Sequence, residues 1–535
     1  MAGFLPSRDA LLRQGDGFSS PFDIVNLCQH QSRLSQKPFY ITTAIDYANG
    51  LPHIGHALEK IGADTIARYQ RQLGRDVHFL MGMDEYGKKV AQSAEVAGVS
   101  PQEWTDRIAG EFESAWQALN VSNTDFIRTT ELRHTAAVEE MVRRMEVKGD
   151  LYLDTYAGFY CVGCESYKAE SDLIDGRCPE HPTLEVEWME EEDWFFRLSR
   201  YREPLLRLLD GGNDFLRPES RRNEVRRMIE GIKDISVSRS GLDWGIPWPG
   251  HPDHVIYVWI DALTNYLTAT GFPAPDFDEV WPADLHVIGK DIIRFHCVYW
   301  PAMLMSADLP VPRCVWAHGW MTLDGRKISK SSGAWVGIQE AAERYGVDAL
   351  RYFVLREIPW DSDGNFTWQR FDERYTSELA NDLGNLANRT VSMLQRYADG
   401  IVPAGEETDL DVAGLDALAR YRDRMDQFLL HEGAAAAFQL VSAANAFVEN
   451  RAPWKLAKDL ELRADLNATL RSLVLALARI AVLLAPFMPD KMSALWTSIG
   501  GEGPLPFLDS LGNLEPAGWK ASLGTVLFPR PDLAR

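Results

Sequence analysis

The stretch from Pro38 to Gly74 constrains this chain more than any other. Phe39 to Ala44 is a β-branched and aromatic run with Pro38 before it and Asn49-Gly50 after it, which predicts a buried strand. Pro52, whose fixed φ suits a first helical turn, opens the next element, and Gly74 falls where a C-terminal cap belongs. His53 and His56 lie three apart in that first turn, beside the helix's free N–H groups and positive end, and Gly55 between them leaves room for a ligand. A strand running into a helix start with two outward imidazoles is a phosphate site. The competing reading, histidines that only cap the helix or sit on the surface, stands because so short a motif recurs by chance.

A second segment favours the phosphate reading. Asp324-Gly-Arg-Lys-Ile-Ser-Lys-Ser-Ser-Gly333 is a Gly-bounded loop that sets Lys327 and Lys330 beside three hydroxyls. Two ammonium groups on such a loop suit a phosphate that must be gripped and then released. Pro-His-Ile-Gly-His followed by Lys-Ile-Ser-Lys-Ser resembles the paired signature of the class I aminoacyl-tRNA synthetases. The neighbouring residues resemble, within that class, the methionyl type with a single zinc knuckle, and the likeness runs over about residues 38 to 530. It implies an α/β protein: a Rossmann-like parallel-sheet nucleotide-binding domain, a zinc-containing connective insert, a stem-contact region and a C-terminal helical anticodon-binding bundle. The implied boundaries are an N-terminal extension to 37, the catalytic domain over 38–150 and 256–325, the insert over 151–255, the lysine loop and stem contact over 326–375, and the bundle over 376–535.

Composition sets limits on that reading. At 535 residues the chain holds roughly three to four domains. Its richest apolar stretch, Leu473 to Phe487, is broken by Arg479 and Pro486 and reads as a buried helix, not a membrane span. A net charge of −22 opposes nucleic acid binding only as an average; contact with tRNA needs a local basic stripe in an acidic shell. Six cysteines, three of them clustered, do not make a disulfide framework and point to a reducing, cytoplasmic setting. Residues 1–36 lack the basic and apolar regions of a secretory signal.

Along the chain, Asp76 to Met83 predicts a second buried strand and puts Asp84 at its carboxyl end, the edge where open α/β sheets bind ligands. Helices are expected from there to Gly149. Cys161-Val-Gly-Cys164 and Cys178-Pro-Glu-His181, thirteen residues apart, can close around one Zn²⁺ as a four-ligand structural site. Glu185 to Asp193 reads as a solvated acidic turn, and Arg221 to Ile232 as an amphipathic basic helix. The sheet is expected to resume with His254 to Asp261 as a strand, followed by Trp259, Ala262 and Tyr266 at offsets that share a helix face. Leu285 to His296 predicts strand, turn and helix. Beyond Gly333 the pattern is helical, with Asn385 and Arg389 on one exposed face, an acidic linker over Pro403 to Gly414, and Trp454 inside a helix opened by Pro453.

The resemblance assigns roles to these positions. His53, His56, Lys327 and Lys330 act in catalysis and on ATP, with Glu59, Gly289 and Asp291 on the adenosine side; a solvated helix carboxylate is the other reading of Glu59. Ala44, Ile45, Tyr47, Asp84, Trp259, Ala262, Tyr266, Phe295 and His296 form the methionine site, where aromatic rings suit a thioether and a phenol can hydrogen-bond to sulfur. Asn385, Arg389 and Trp454 read the anticodon by base edges and stacking. Tyr86 stands where the family usually has His, and Leu263 where some members have Pro. The implied partners are L-methionine, ATP with Mg²⁺ and tRNA(Met), with no membrane, and a monomer is expected. Rival readings are another class I synthetase, a small-molecule nucleotidyltransferase, and a tRNA-binding protein that has lost catalysis.

Overall fold

The computed structural model describes residues 37–162, 166–168, 170–179, 181–182, 184–212, 214–328, 336–522 and 524–530. Among these residues the centre is a seven-stranded parallel sheet of β1 (Phe39–Thr43), β2 (Asp46–Tyr47), β3 (Val77–Asp84), β4 (Asp125–Arg128), β5 (Leu216–Arg217), β6 (Leu285–Gly289) and β7 (Val315–His318). The order is β4-β3-β1-β6-β7-β5, with β2 prolonging β1 along β3, so that Tyr47 lies opposite Asp84. β1, β3 and β4 build outward in one direction, and β6 and β7 in the other. The crevice at the carboxyl ends of β1 and β6 is therefore the switch point where such sheets take ligands.

Helix α1 (Ile54–Gln72) crosses over from β2 to β3 and is buried along most of its length. It packs on the sheet because Ile54, Leu58, Ile61 and Ile66 recur on one face, and Gly62 admits the ring of Trp360. Gly74, at φ 77°, ends it in the left-handed conformation, as its position predicts. The helix starts at Ile54, not at Pro52, because His53 takes the capping position.

Four other expectations are corrected. His254 to Asp261 is not a strand of the main sheet. His251–Ile256 pairs antiparallel with Ser238–Ser240 and Pro247–Trp248, and α2 (Val258–Thr268) is already helical two residues later. A short apolar run fits a buried strand and a buried helix equally well. The span from Asp84 to Gly149 is not all helix: Asp125–Arg128 joins the main sheet as edge strand β4, too short and too charged to announce itself. Glu185 to Asp193 is not a turn. Glu187–Phe196 pairs over ten residues with Leu151–Cys161, and this long ladder outweighs the strand's charge. Finally, the stretch beyond Gly333 is interrupted by the strand Gly364–Phe366, and the linker ends at Thr408, which caps the helix Asp409–Asp426 in a capping box with Asp411.

The span expected as an insert, 151–255, does not stay apart from the main sheet, since β5 lies within it and pairs with β7. Helix α3 (Val347–Glu357) packs on α1 and carries Arg351, which is fully buried. The bundle follows, with α4 (Asn385–Ala398), α5 (Pro453–Leu456) and α6 (Arg463–Leu484). Helix α6 is long and apolar enough to cross a membrane, but it is the bundle's core: 94% of its apolar window is buried.

Candidate active site

The start of α1 is where the two histidines meet. His53 Nδ1 accepts the N–H of Gly55 at 3.1 Å, and His56 Nδ1 accepts the N–H of His53 at 3.1 Å. Both Nδ1 atoms are acceptors, which leaves the proton of each ring on Nε2. The imidazoles therefore turn back onto the helix start, 3.9 Å apart between centroids, and the space at Gly55 is taken by the His53 ring, 2.8 Å from where a Cβ would stand. Burial first, then the neighbouring His53, lowers the His56 pKa to about 3, so this ring is neutral. It serves as a donor, not a cation.

Above the crevice lies a cavity of about 220 Å³ lined by Ala44, Ile45, Tyr47, Asp84, Trp259, Ala262, Tyr266 and His296, eight of the nine residues expected for the amino acid. The ninth, Phe295, stacks on Trp259 with centroids 3.5 Å apart and planes 10° from parallel. Lys89, Val258, Leu263 and Ile292 complete the lining. Sequence reasoning missed Lys89, Val258 and Ile292; Val258 and Ile292 each flank an expected site residue, and Lys89, five residues beyond Asp84, carries no such signal. The phenol of Tyr266 is spoken for. His296 Nδ1 lies 3.0 Å from Ile292 O and must donate to it, so Nε2 accepts the Tyr266 O–H at 2.7 Å. That proton therefore does not point at a sulfur atom, contrary to the sequence-based expectation. His286 below is tied the same way: Trp300 Nε1 donates to its Nε2 at 3.2 Å, and its Nδ1 is 2.7 Å from Thr42 Oγ1.

On the other side of β1, Glu59 is not a solvated helix carboxylate. It is buried between Lys60 Nζ at 2.8 Å and His318 Nε2 at 3.1 Å. Burial pushes its pKa up, but the Lys60 ammonium and then His318 prevail and bring it down to about 2. Gly289 ends β6, and the space of its missing side chain is filled by Asp291 Oδ1, 2.6 Å from a built Cβ. The glycine therefore makes room for the carboxylate of Asp291, which also accepts from Trp320 Nε1 at 3.2 Å. Trp320, overlain by Lys290 at 4.3 Å, extends this wall and was not foreseen.

Lys330 lies outside the described residues, and for Lys327 only its place in the strand Arg326–Lys327 is described. The two ends of the loop that carries them reach the helix start: Val336 O accepts the Ile54 N–H at 3.1 Å, and Ile328 Cδ1 is 3.7 Å from a Cβ built on Gly55. In the insert, Cys161, Cys178 and His181 bring their ligand atoms within 4.8 Å of one another, with Cys161 Sγ 3.9 Å from His181 Nδ1. Tetrahedral bonds of about 2.0–2.3 Å have edges of about 3.5–3.8 Å, so these donors fit a zinc ion. Cys164 lies outside the described residues.

Far from the sheet, Asn385 is exposed one turn before Arg389, whose guanidinium lies 6.0 Å from the Trp454 ring centroid and pairs with Glu449 at 2.7 Å. Trp454 is 36% exposed, on a short helix that Pro453 opens after Ala452 turns the chain at φ 45°. The three residues share one surface.

The family model for class I tRNA synthetases (M) matches residues 39–185 and 183–391, and that for the anticodon binding domain of methionyl tRNA ligase matches 399–527. Among known proteins, the methionine–tRNA ligase of Caldanaerobacter subterraneus subsp. tengcongensis is 42% identical over 94% of this chain and 80% of its own length. That of Streptomyces coelicolor is 42% identical over 92% and 97%. Among solved structures, Mycobacterium tuberculosis methionyl-tRNA synthetase in complex with methionyl-adenylate superimposes with a TM-score of 0.89 at 43% identity, covering 92% of this chain and all of that one. Its free form gives 0.82 at 39%, covering 93% and 99%. With the cavity at the switch point, the paired histidines at a helix start and the helical bundle all accounted for, the chain belongs to the methionyl-tRNA synthetases, class I ligases that join methionine to tRNA in two steps, the first of which consumes ATP.

Proposed function

We propose that the cavity between β1, β3 and α2 holds L-methionine and that the crevice between β1 and β6 holds ATP. The observation that carries this is the convergence of eight expected residues on one cavity at the carboxyl edge of the sheet. Asp84, at the end of β3, takes the α-ammonium group, and Trp259, Ala262 and Tyr266 enclose the thioether. The methionine carboxylate attacks the α-phosphorus of ATP, which enters as its Mg²⁺ complex; pyrophosphate leaves along the start of α1. A hydroxyl of the terminal ribose of the tRNA then attacks the activated carbonyl, and AMP departs.

In the first step the chain supplies position and charge compensation, because the carboxylate is already a nucleophile. The Nε2–H groups of His53 and His56 donate to phosphate oxygens, while Lys327 and Lys330 neutralise the departing pyrophosphate. Asp291 accepts from the ribose. Asn385, Arg389 and Trp454 take the anticodon bases of tRNA(Met). Cys161, Cys164, Cys178 and His181 would hold a zinc ion that would fasten the insert and leave no open position for chemistry. We place the enzyme in the cytoplasm as a monomer.

Methionine-dependent ATP–pyrophosphate exchange by the purified chain tests the reading. Exchange with methionine alone among methionine, leucine, isoleucine, valine and cysteine is the expected result. Within that assay Lys330→Ala lowers kcat and leaves the methionine KM nearly unchanged; a rise in KM at constant kcat would remove the lysine from its role.

A further inference from the structure

Lys60 lies in α1 directly after Glu59, and its side chain is 1% exposed, a state lysine adopts only when its charge is met. Its ammonium donates to Ala44 O at 2.7 Å, to Glu59 Oε1 at 2.8 Å and to Thr43 Oγ1 at 3.1 Å, and lies 3.3 Å from Asp46 Oδ2. Those four acceptors belong to two structures that meet at the site. Thr43, Ala44 and Asp46 belong to the end of β1 and the segment that follows, which turns Ala44, Ile45 and Tyr47 toward the cavity. Glu59 belongs to the helix whose start carries His53 and His56, and it holds His318 at the end of β7. The roles discussed above leave this ammonium without a part.

We propose that Lys60 is a positioning residue for amino-acid activation: from beneath, it ties the Ala44–Tyr47 wall of the methionine cavity to Glu59 and the ATP side. Without the ammonium the wall loses its anchor at Ala44 O, and Asp46 and Glu59 become two buried carboxylates with no cation between them. The wall then shifts and methionine binds less well, while the reacting groups remain in place. The groups that face this cluster are Asp46 from β2, Glu59, Lys60 and His56 from α1, His318 from β7, and Tyr266 and His296 from the far side of the cavity. Burial raises the Asp46 carboxyl to about 7, against the pull of Lys60, so its ionisation changes within the working range. Ionised, it strengthens the anchor.

The inference rests on the cavity being the methionine site, so Ala262→Leu, which fills that cavity, is measured alongside it. If Ala262→Leu leaves the methionine KM unchanged, the reading of the cavity is wrong. If it raises KM, Lys60→Met decides the present proposal. Expected for Lys60→Met, per active site counted by adenylate titration, is a methionine KM raised about tenfold with kcat changed less than about threefold. A residue that merely supports the fold would lower the number of active sites and leave KM alone, and that result overturns the proposal. Should Lys60→Met not fold, Asp46→Asn keeps the question open to test. The parent's methionine KM is expected to be about threefold higher at pH 6 than at pH 8, and Asp46→Asn to be flat. The same pH dependence in both would overturn it.

Discussion

Three imidazoles around the site are kept uncharged by burial. His56 titrates at about 3, His296 at about 4, and His286 well below the usual range, in every case chiefly through burial. An unfolded histidine takes up its proton near 6.5, so between that pH and the folded values the unfolded chain binds more protons. The stability these rings contribute is therefore whole above about pH 6.5 and is lost as the pH falls toward 4. Because His296 is buried, His296→Gln should remove about 3 kcal/mol of the loss seen between pH 7 and pH 4. Urea unfolding of parent and variant across that range gives the slopes; equal slopes would mean that the ring is solvated. Sequence could nominate His296 for the pocket, but not its tautomer. The tautomer is set by Ile292 O, one turn back, and it redirects the Tyr266 proton away from the sulfur.

Among the elements, α1 owes its place to a close backbone approach. A Cβ on Gly62 would stand 2.0 Å from Trp360 Cη2, so the helix lies against that ring only because the position has no side chain. Gly62→Ala should gain about 1 kcal/mol of helix propensity and lose more to overpacking, a net destabilisation of about 1–2 kcal/mol readable in the urea midpoint. Helix α5 offers a contrasting case, since its Trp454 is half in solvent. Trp454→Ala should spare pyrophosphate exchange and lower kcat/KM for tRNA charging about tenfold to a hundredfold, the value of one base stacked on a ring. Equal loss in both assays would make Trp454 structural. Elements with strong periodicity, such as β1, β3, α1 and the core helix α6, were legible in the sequence. Those governed by distant pairing were not: Asp125–Arg128 is a strand because β3 lies beside it, and Glu187–Phe196 because Leu151–Cys161 does. The lysine loop could be foreseen as a motif, and its ends do return to α1, but Lys60 carried no signal because only the packing of α1 on β1 brings Thr43, Ala44 and Asp46 to it, and Trp320 none because its partner Asp291 is remote in sequence.

At the scale of the whole molecule, one buried cluster joins three parts. Arg351 Nη2 lies 2.6 Å from Asp64 Oδ2, and the same guanidinium reaches Pro486 O and Phe487 O in the bundle and Leu119 O beside the sheet. Both side chains are wholly buried; Asp64 keeps Arg68 at 2.7 Å and Ser122, but Arg351→Met leaves the carbonyls of Leu119, Pro486 and Phe487 without this donor and should cost about 3 kcal/mol. If the parts are joined as tightly as these contacts imply, urea unfolding followed by catalytic-domain and bundle tryptophans should shift together. Separate shifts would show that they unfold independently. The insert is a more local matter. Stripping metal with a chelator, or Cys178→Ser, should open the region around 160–185 to protease while leaving the methionine KM unchanged, since no proposed zinc ligand lines the cavity.

The docking of α1 has a further consequence. Thr65, Tyr69 and Gln72 hydrogen-bond Pro486 O, Asp426 and Val482 O, at 3.2, 2.7 and 2.7 Å, so the second half of α1 is fastened to the bundle while its first turn carries the two histidines. At about 1.5 Å per residue its nineteen residues make a stiff rod nearly 30 Å long. The spacing between the two histidines and the bundle is thereby set by the length of a single helix.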